Sequence, residues 1–278
     1  MPGAMADEQV EQILVLVAEK RGIDFRDYRR ETLQRRARSR ARAAGCEDLA
    51  AYRQELDRNR DELDRLVETL VVPVTGFFRD AWAFRELADR VLPQLAARRP
   101  LLRAWVAGAA TGEEAYTLAM LLAETSARHA GGGFEVIASD IDRPSLEIAR
   151  AAVYARKSVE AVPAELRARY LRADGSQVRV AEAIRGRVQF AEHDLVGQRL
   201  APREAVVAAF DVVLCRNVLL YFDPPLRAKA VARLAAVLEP SGALMVGGFE
   251  ALPADGDPGF QSYPGVSAGT GIFMRRGA

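Results

Sequence analysis

The spacing of apolar residues changes along this chain, from a helical period to an alternation of strands and helices that begins near residue 84. Over residues 1–75, apolar positions recur at helical spacing between polar breaks, and no run is typical of a strand. We therefore predict a small all-α domain over residues 1–75.

One segment of this domain, TLQRRARSRARAAG (32–45), carries a row of arginines. Small apolar residues fall on one face of the predicted helix, and Gly45 is expected to end it. Another face carries Arg35, Arg38 and Arg42, and Arg36 and Arg40 lie beside this face. The amphipathic stretch that follows predicts two further helices, separated near Asn59.

Residues 76–278 show the pattern of a parallel sheet. Continuous apolar runs, typical of strands buried on both faces, are separated by helical segments of 12 residues or more. The runs are LLRAWVA (101–107), FEVIASD (134–140), FDVVLC (210–215) and ALMVGG (243–248). This predicts an α/β fold with a doubly wound, mostly parallel sheet.

The alternation is interrupted between about residues 155 and 190. PAELRARYL predicts a short helix, and SQVRVAEAIRGRVQF (176–190) alternates in the manner of an antiparallel pair of strands. We predict a small β-subdomain inserted at about 155–190. A crossover connection that has grown long is the alternative.

Composition and charge exclude several classes of protein. Lys and Arg total 39 against 38 Asp and Glu, so no overall field attracts nucleic acid or a lipid surface. Two distant cysteines and two isolated histidines favour a reducing compartment and no metal site. Residues 1–12 lack the pattern of a secretory signal, and no run is long enough to span a membrane. We expect a cytoplasmic monomer that does not bind nucleic acid or insert in a membrane.

Polar residues follow three of the predicted strands, in loops 108–114, 140–142 and 216–221. Since the carboxyl ends of parallel strands meet at one edge of the sheet, where ligands bind, these loops are expected to converge. The first loop, GAATGEE, contains Gly108 and Gly112, which let a ligand approach the backbone closely.

The carboxylates in these loops decide which ligand is plausible. Glu113 and Glu114 would repel a phosphate by about 1 to 4 kcal/mol per charge pair at contact. Asp140, at the tip of the next strand, stands where an acidic residue binds the two hydroxyls of a ribose. A cationic nucleoside satisfies both loops, and S-adenosylmethionine is the obvious candidate. The alternative for the glutamates is an acidic first turn favoured by the helix dipole.

Several motifs together resemble the CheR family of chemotaxis receptor methyltransferases. They are VTGFFRD (74–80), GAATGEEAYTLAM (108–120), SDID (139–142), FDVVLCRNVLLYFD (210–223) and LEPSGALMVGG (238–248), with GIDFRDYRRETLQRRARSRARAAG (22–45) in the helical domain. The resemblance covers nearly the whole chain and weakens after about Glu250. It implies a class I, Rossmann-like, S-adenosylmethionine-dependent methyltransferase fold.

The resemblance also assigns roles by position. Residues that fall where the family contacts S-adenosylmethionine or its product S-adenosylhomocysteine are Thr75, Arg79, Glu114, Asp140, Asp194, Leu195, Arg216 and Asn217. Tyr221 falls beside the transferred methyl group, and Arg79 and Tyr221 are the catalytic candidates. The chain departs from the family pattern at Pro73, where an Asn is usual, at Asp194, often Asn, and in GGFE (247–250), which lacks a common serine.

The implied activity is methylation of glutamate side chains on the cytoplasmic domains of methyl-accepting chemotaxis receptors. The row of Arg35, Arg38 and Arg42 would face the acidic methylation helix of the receptor. Alternatives remain at each position. The arginine row could be a solvated face, Arg79 could form a structural ion pair, and Tyr221 could be an interface aromatic. The whole chain could methylate another acceptor, or bind S-adenosylmethionine as a signalling module without turnover.

Overall fold

The computed structural model describes residues 2–21, 23, 25, 28–70, 75–129, 132–205, 209–248, 250, 252 and 259–276. The chain forms two compact units, one of Met1–Val72 with Tyr221–Ala228 and one of Pro73–Leu220 with Lys229–Ala278. Within the described part, no helix is both long and apolar enough to cross a membrane.

The first unit is helical, as predicted. Its helices are α1 (Pro2–Arg21), α2 (Arg30–Ala43), α3 (Leu49–Arg58) and α4 (Arg60–Leu70). Helix α2 buries Leu33, Ala37 and Ala41, which confirms the apolar face expected from their spacing. Gly45 follows with a φ of +76°, the left-handed conformation that ends a helix. Asn59 separates α3 from α4, and its side-chain oxygen accepts a hydrogen bond of 3.1 Å from the Glu62 amide.

A buried carboxylate, Glu62, ties these helices together. Arg40 donates to its two oxygens at 2.7 and 2.6 Å, and the Tyr52 hydroxyl donates at 2.9 Å. The hydrogen bond from Arg40 lowers the pKa of Glu62, against the effect of burial. Arg40 is therefore a structural residue of the helical core.

The second unit is an α/β domain built on a seven-stranded sheet. Its helices are α5 (Ala81–Glu86), α6 (Leu92–Ala96), α7 (Glu113–Arg128), α8 (Arg143–Ala151), α9 (Ala164–Tyr170) and α10 (Glu182–Arg185). A π-helical segment, Leu87–Val91, joins α5 to α6. Helix α11 (Pro224–Val237) begins among the residues of the first unit and ends in the second.

In the part of the chain that the structure describes, ten strands form two sheets. They are β1 (Leu101–Ala107), β2 (Gly133–Asp140), β3 (Val153–Ala155), β4 (Leu171–Asp174), β5 (Gln177–Val180), β6 (Val188–Glu192), β7 (Phe210–Cys215), β8 (Leu238–Val246), β9 (Phe260–Ser262) and β10 (Ile272–Arg275). The large sheet has the order β6-β2-β1-β7-β8-β10-β9. The first five strands in this order are parallel, and β10 and β9 each run antiparallel to the preceding strand. The predicted doubly wound, mostly parallel sheet is confirmed.

The chain order reverses between β1 and β7. From β1 the sheet grows through β2 and β6 on one side, and from β7 through β8 on the other. Such a reversal opens a crevice at the carboxyl ends of the two central strands. The predicted polar loops follow β1, β2 and β7, and therefore border this crevice.

The small sheet confirms an antiparallel β-subdomain but corrects its predicted pairing. Strand β5 pairs with β3 and β4, all antiparallel. The predicted partner of β5, the segment around 188–190, instead forms β6 and lies parallel to β2 in the large sheet. Strands β5 and β6 both alternate polar and apolar residues, so the sequence pattern did not show that they belong to different sheets. Strand β6 lies at the edge of the large sheet, where β2 is its neighbour.

Strands β9 and β10 were not expected from the sequence. They follow a Gly- and Pro-rich stretch, and three or four residues are too few for a clear alternation. Both are short, and β10 is placed by its pairing with β8 through Ile272, Phe273 and Met274. Their contribution is to complete the far edge of the sheet.

Candidate functional site

The loop between β1 and α7 is held in place by close packing at its glycines. Gly108 and Gly112 have φ values of +77° and +93°. A Cβ on Gly108 would lie 2.3 Å from Val218 Cγ2, and one on Gly112 would lie 2.8 Å from Ala149 Cβ. We expected these glycines to let a ligand approach the backbone. On the side where a Cβ would lie this expectation is wrong, because the side chains of Val218 and Ala149 fill that space. The glycines instead let neighbouring segments approach the loop.

Asp140 connects this loop to the end of β2. Its carboxylate accepts hydrogen bonds from the Ala110 amide at 2.7 Å and the Asp142 amide at 2.9 Å. The Gly108 and Ala109 amides add bonds of 2.8 and 2.9 Å to the Ser139 carbonyl. Burial raises the pKa of Asp140, and the two amide bonds oppose that rise. The carboxylate is therefore oriented by the backbone of both loops.

Arg216, the first residue after β7, lies between two carboxylates. Its side chain is 1% exposed and forms ion pairs with Glu114 and, at 2.5 Å, with Asp80. It also donates to the Arg79 carbonyl at 3.2 Å, and its guanidinium lies 5.1 Å from the centre of the Phe84 ring. The loops after β1 and β7 are therefore joined by a buried ion pair, and the predicted convergence of the three loops is confirmed.

The site carries an excess of buried negative charge. Glu113, Glu114 and Asp140 are 8%, 5% and 6% exposed. The Thr111 hydroxyl donates to Glu113 at 2.6 Å, while Arg216 pairs with Glu114. Burial raises the pKa of Glu113 and of Glu114, and the positive charge of Arg216 opposes the rise at Glu114. This arrangement is suited to a cationic ligand rather than a phosphate.

The segment before α5 supplies Thr75 and Arg79. The Thr75 hydroxyl is buried, and no hydrogen-bond partner for it is found among the described residues. A buried hydroxyl without a partner is a candidate for a ligand contact. Phe78 and Asp80, on either side of half-buried Arg79, have φ values of +51° and +57°. Two non-glycine residues in this conformation mark the segment as a functional candidate. The sequence departure at Pro73 lies outside the described residues.

Asp194 and Leu195 follow β6. The Asp194 carboxylate accepts a bond of 2.9 Å from the Val196 amide, and the carbonyl of buried Leu195 accepts one of 2.7 Å from Arg233. The His193 amide donates to the Asp140 carbonyl at 3.0 Å, which brings this segment beside the end of β2. The pKa of His193 is lowered by burial.

Glu250 was not identified from the sequence, where GGFE was noted only for its missing serine. The residue is 2% exposed. Its carboxylate accepts hydrogen bonds from the amides of Asn217 and Gly247, both at 2.7 Å, and of Leu220 at 3.1 Å. Asn217 itself has a φ of +61°. A lone acidic residue after a strand carries no sequence signal for such a role, so only the fold could reveal it.

Tyr221 is grouped with the helical unit. The Arg29 amide donates to its carbonyl at 2.9 Å, and the Arg36 guanidinium lies 5.2 Å from the centre of its ring. Phe222 forms an isolated antiparallel bridge with Tyr28, and their rings pack edge to face. These contacts agree with the alternative interpretation of Tyr221 as an interface aromatic, and they leave its catalytic assignment a prediction.

The arginines of α2 divide into two groups. Arg36 donates to the Leu70 carbonyl at 2.5 Å and Arg40 pairs with Glu62. Arg35, Arg38 and Arg42 are exposed, and within the described part of the chain none of them forms an ion pair. The three predicted receptor-facing arginines are thus open to solvent.

The structure brings most of the predicted cofactor residues to one end of the sheet. Glu114, Asp140, Arg216 and Asn217 lie on contacting loops, and Asp194 joins them through the bond between His193 and Asp140. The buried Thr75 hydroxyl and the excess of carboxylates fit a cationic nucleoside such as S-adenosylmethionine. Tyr221 and the arginine row belong to the other unit.

Comparison with known families gives matches over both units. Residues 73–265 match the CheR methyltransferase SAM-binding domain, and residues 8–71 match the CheR methyltransferase all-alpha domain. The chemotaxis protein methyltransferase of Escherichia coli K12 is 34% identical over 250 residues, 88% of this chain and 84% of that protein. The resemblance expected from the motifs is confirmed.

Two other relatives are longer proteins. An uncharacterized 104.1 kDa protein of Rhodobacter capsulatus is 36% identical over 249 residues, which is 88% of this chain and 25% of that protein. A probable biofilm formation methyltransferase, WspC, of Pseudomonas putida is 36% identical over 241 residues, 86% of this chain and 54% of that protein. The chain thus spans a quarter and about half of the length of these two relatives.

Among solved structures, an O-methyltransferase family protein from Burkholderia thailandensis aligns with 68% of this chain and 41% of its own. The sequence identity is 19% and the TM-score 0.35.

Proposed function

Because this chain belongs to the CheR methyltransferase family, we propose that it transfers a methyl group from S-adenosylmethionine to glutamate side chains of chemotaxis receptors. The observation that carries the proposal is the set of buried carboxylates, Glu113, Glu114 and Asp140, with Arg216 bound to Glu114. A net negative, water-poor site at the carboxyl ends of β1 and β2 favours a cofactor that is positively charged.

Four of the predicted residues are proposed to form the site for that cofactor. Asp140, with its carboxylate oriented by two amide bonds, is proposed to accept from the ribose hydroxyls. Thr75 has a buried hydroxyl available for a further bond. Arg216 and Glu114 hold the loops after β7 and β1 together. S-adenosylmethionine, when bound, supplies a methyl group on a positively charged sulfur that is a good leaving group.

The reaction needs alignment more than acid or base chemistry. A glutamate carboxylate is ionised at pH 7, so no general base is required to make it a nucleophile. One bond forms between a carboxylate oxygen and the methyl carbon, and the bond from that carbon to sulfur breaks, leaving a methyl ester and S-adenosylhomocysteine. Holding the reacting atoms about 3 to 3.5 Å apart and in line is the main contribution expected of the protein.

Loss of charge during the reaction favours a site that excludes water. A carboxylate anion and a sulfonium cation become two neutral products, and a low-dielectric environment favours that change. Arg79 and Tyr221 are the proposed catalytic residues, with Tyr221 donating to one oxygen of the substrate carboxyl and Arg79 ordering the cofactor end. The ring of Tyr221 is held from within the helical unit by Arg36.

Substrate recognition is proposed to use the arginine row of α2. Arg35, Arg38 and Arg42 are exposed at helical spacing on one face. A methylation helix of a receptor presents several acidic side chains, and such a helix is the natural partner of this face.

The test is incubation of the protein with labelled S-adenosylmethionine and the cytoplasmic fragments of receptors, followed by alkali. Glutamate methyl esters are labile to base, so the expected result is labelled methanol released on alkali treatment. Label that stays on the protein after alkali would contradict esterification of glutamate.

A second candidate keeps the cofactor and changes the acceptor protein. It is favoured by the similarity to the probable biofilm formation methyltransferase, which is as close in identity as any relative described above. Offering chemotaxis receptor fragments and other candidate acceptor proteins as competing substrates separates the two candidates. Binding of the cofactor without transfer to either would favour a non-catalytic module.

A further inference from the structure

The loop that follows β7 is held by a carboxylate from the loop that follows β8, its neighbour in the sheet. Glu250 accepts from the amides of Asn217 and Leu220, three residues apart, as well as from Gly247 on its own segment. It therefore bridges the carboxyl ends of two adjacent parallel strands. We propose that Glu250 is a positioning residue for the cofactor- and substrate-binding loop 216–221, an inference that rests on the function proposed above.

Three features make this more than a local turn. The carboxylate is buried, and main-chain N–H groups donate to both of its oxygens, so the side chain has a single geometry. One of those donors, Asn217, has a left-handed backbone conformation. This conformation is unfavourable for a residue with a side chain, so contacts such as the bond to Glu250 are needed to maintain it. The other, Leu220, lies in the 3₁₀ turn Leu219–Tyr221, so the bond fixes the turn that contains Tyr221.

The packing around Gly247 supports the same inference. A Cβ there would lie 2.7 Å from a Glu250 oxygen and 3.2 Å from both the amide and the side-chain nitrogen of Asn217. A side chain at this position would push the carboxylate away from the loop. The glycine therefore lets the segment after β8 come close enough for the bridge.

The loop after β7 is therefore held on its two sides by different residues. Arg216 ties the loop to Glu114 on the β1 side, and Glu250 ties it to β8 on the other side. Val218, between the two, packs against Gly108. A loop held from both sides presents Asn217 in one orientation, which is the preorganisation that an alignment mechanism requires.

The experiment compares Glu250→Gln with wild type. In the variant an NH₂ group replaces one acceptor oxygen, so at least one main-chain N–H loses its bond. We expect kcat for methyl transfer to receptor fragments to fall about tenfold to a hundredfold, as a small misplacement of reacting groups predicts. We also expect weaker binding of S-adenosylhomocysteine by calorimetry, and faster hydrogen exchange at the amides of Asn217, Leu220 and Gly247.

The matched control is Asp211→Asn, at the opposite end of β7. Asp211 is 3% exposed and accepts from the Arg103 amide at 2.9 Å, so it is also a buried carboxylate bonded to backbone. This control is expected to lose stability while cofactor affinity and kcat per folded molecule stay at the wild-type value. A Glu250→Gln protein that behaves like the control, with exchange at the three amides unchanged, would overturn the proposal.

A second variant covers the case in which Glu250→Gln does not fold. Gly247→Ala keeps the Glu250 carboxyl group but pushes it away from the loop through the new Cβ. It is expected to give the same three changes to a smaller extent, and wild-type exchange and affinity in this variant would also overturn the proposal. If the wild type released no methanol, the proposed function would fail, whereas the exchange and affinity measurements would still decide the role of Glu250.

Discussion

The arginine row of the helical unit and the candidate site of the α/β unit use charged side chains in opposite ways. In the arginine row, Arg35, Arg38 and Arg42 are exposed. In the candidate site, Glu114 pairs with Arg216, Asp140 accepts from amides and Glu113 accepts from a hydroxyl, and all four charged side chains are buried. An exposed charge contributes little to the stability of the fold and is available to bind a partner. A buried charge is held in one position, and removing its partner is strongly destabilising. The first arrangement suits docking of a macromolecule, and the second suits a small ligand held in one orientation.

The largest effect is expected from breaking the buried ion pair. Arg216→Met leaves Glu114 in the interior without its cation, which we expect to reduce the free energy of unfolding by about 3 to 5 kcal/mol. Urea unfolding at unchanged m-value measures it. The control is Arg103→Met, whose pair with Glu135 joins side chains that are 35% and 53% exposed, and which is expected to cost at most about 1 kcal/mol. Similar losses in the two variants would contradict the contrast.

The next effect concerns cofactor affinity. Asp140→Asn removes a charge-assisted acceptor, and we expect binding of S-adenosylmethionine to weaken by about tenfold to a hundredfold, from a hydrogen bond to a charged group of about 1.5 to 3 kcal/mol. Calorimetry measures the affinity directly. Asp174→Asn, in the exposed pair of β4 with Arg179, is the matched control and should bind as wild type does. Wild-type affinity in Asp140→Asn would remove this residue from the site.

The dependence of affinity on pH is expected to be smaller. Burial raises the pKa of Asp140 and Glu113, so these carboxylates take up protons at a higher pH than the ordinary value of about 4. Only the ionised form attracts a cation. Affinity for S-adenosylmethionine should therefore fall as the pH is lowered below 7 toward the raised pKa values of these carboxylates. S-adenosylhomocysteine, with a neutral sulfur, should respond less, and an affinity independent of pH would contradict the electrostatic argument.

The smallest effect per substituted residue is expected at the exposed face. Reversing Arg35, Arg38 and Arg42 to Glu should raise the KM for receptor fragments at least about threefold, since each of the three exposed charge pairs contributes about 0.2 to 1 kcal/mol. The effect should shrink as salt is added. Arg53→Glu with Arg58→Glu, on the exposed side of α3, is the control in the same unit. Affinity for S-adenosylhomocysteine should not change in either variant, and an equal rise in KM for both would argue against a specific face.

The parts of the fold that could be predicted from sequence are those with a strong period. Buried parallel strands such as β1 and β7 are continuous apolar runs, and α2 has a clear apolar face. The three polar loops could be placed together because parallel strands end at one edge. Strands β9 and β10 were missed because a few residues between glycines carry no period. Strand β6 was paired wrongly because alternation does not identify the neighbour.

The residue types at the site could be predicted, but their partners could not. Glu113, Glu114 and Asp140 were expected to face a ligand as free charges. In the structure Glu114 pairs with Arg216, and Asp140 accepts from two amides. Glu250 had no sequence signal, because its role depends on three amides that only the folded sheet brings together. The acidic character of the site is thus predictable from the sequence, but the contacts that orient it are not.

Residues 221–228 have a consequence for any attempt to dissect this protein. Although they follow β7 in the chain, they are counted with the helices of the first unit, through the bridge of Tyr28 with Phe222 and the stacking of Arg36 on Tyr221. A fragment that stops at residue 75 would leave Tyr28 and Arg36 without these neighbours. A fragment that starts at residue 76 would carry Tyr221 without Arg36 over its ring. The helical unit therefore cannot be exchanged as residues 1–75 alone. A chimera with a foreign helical domain must also replace residues 221–228, which are counted with that unit.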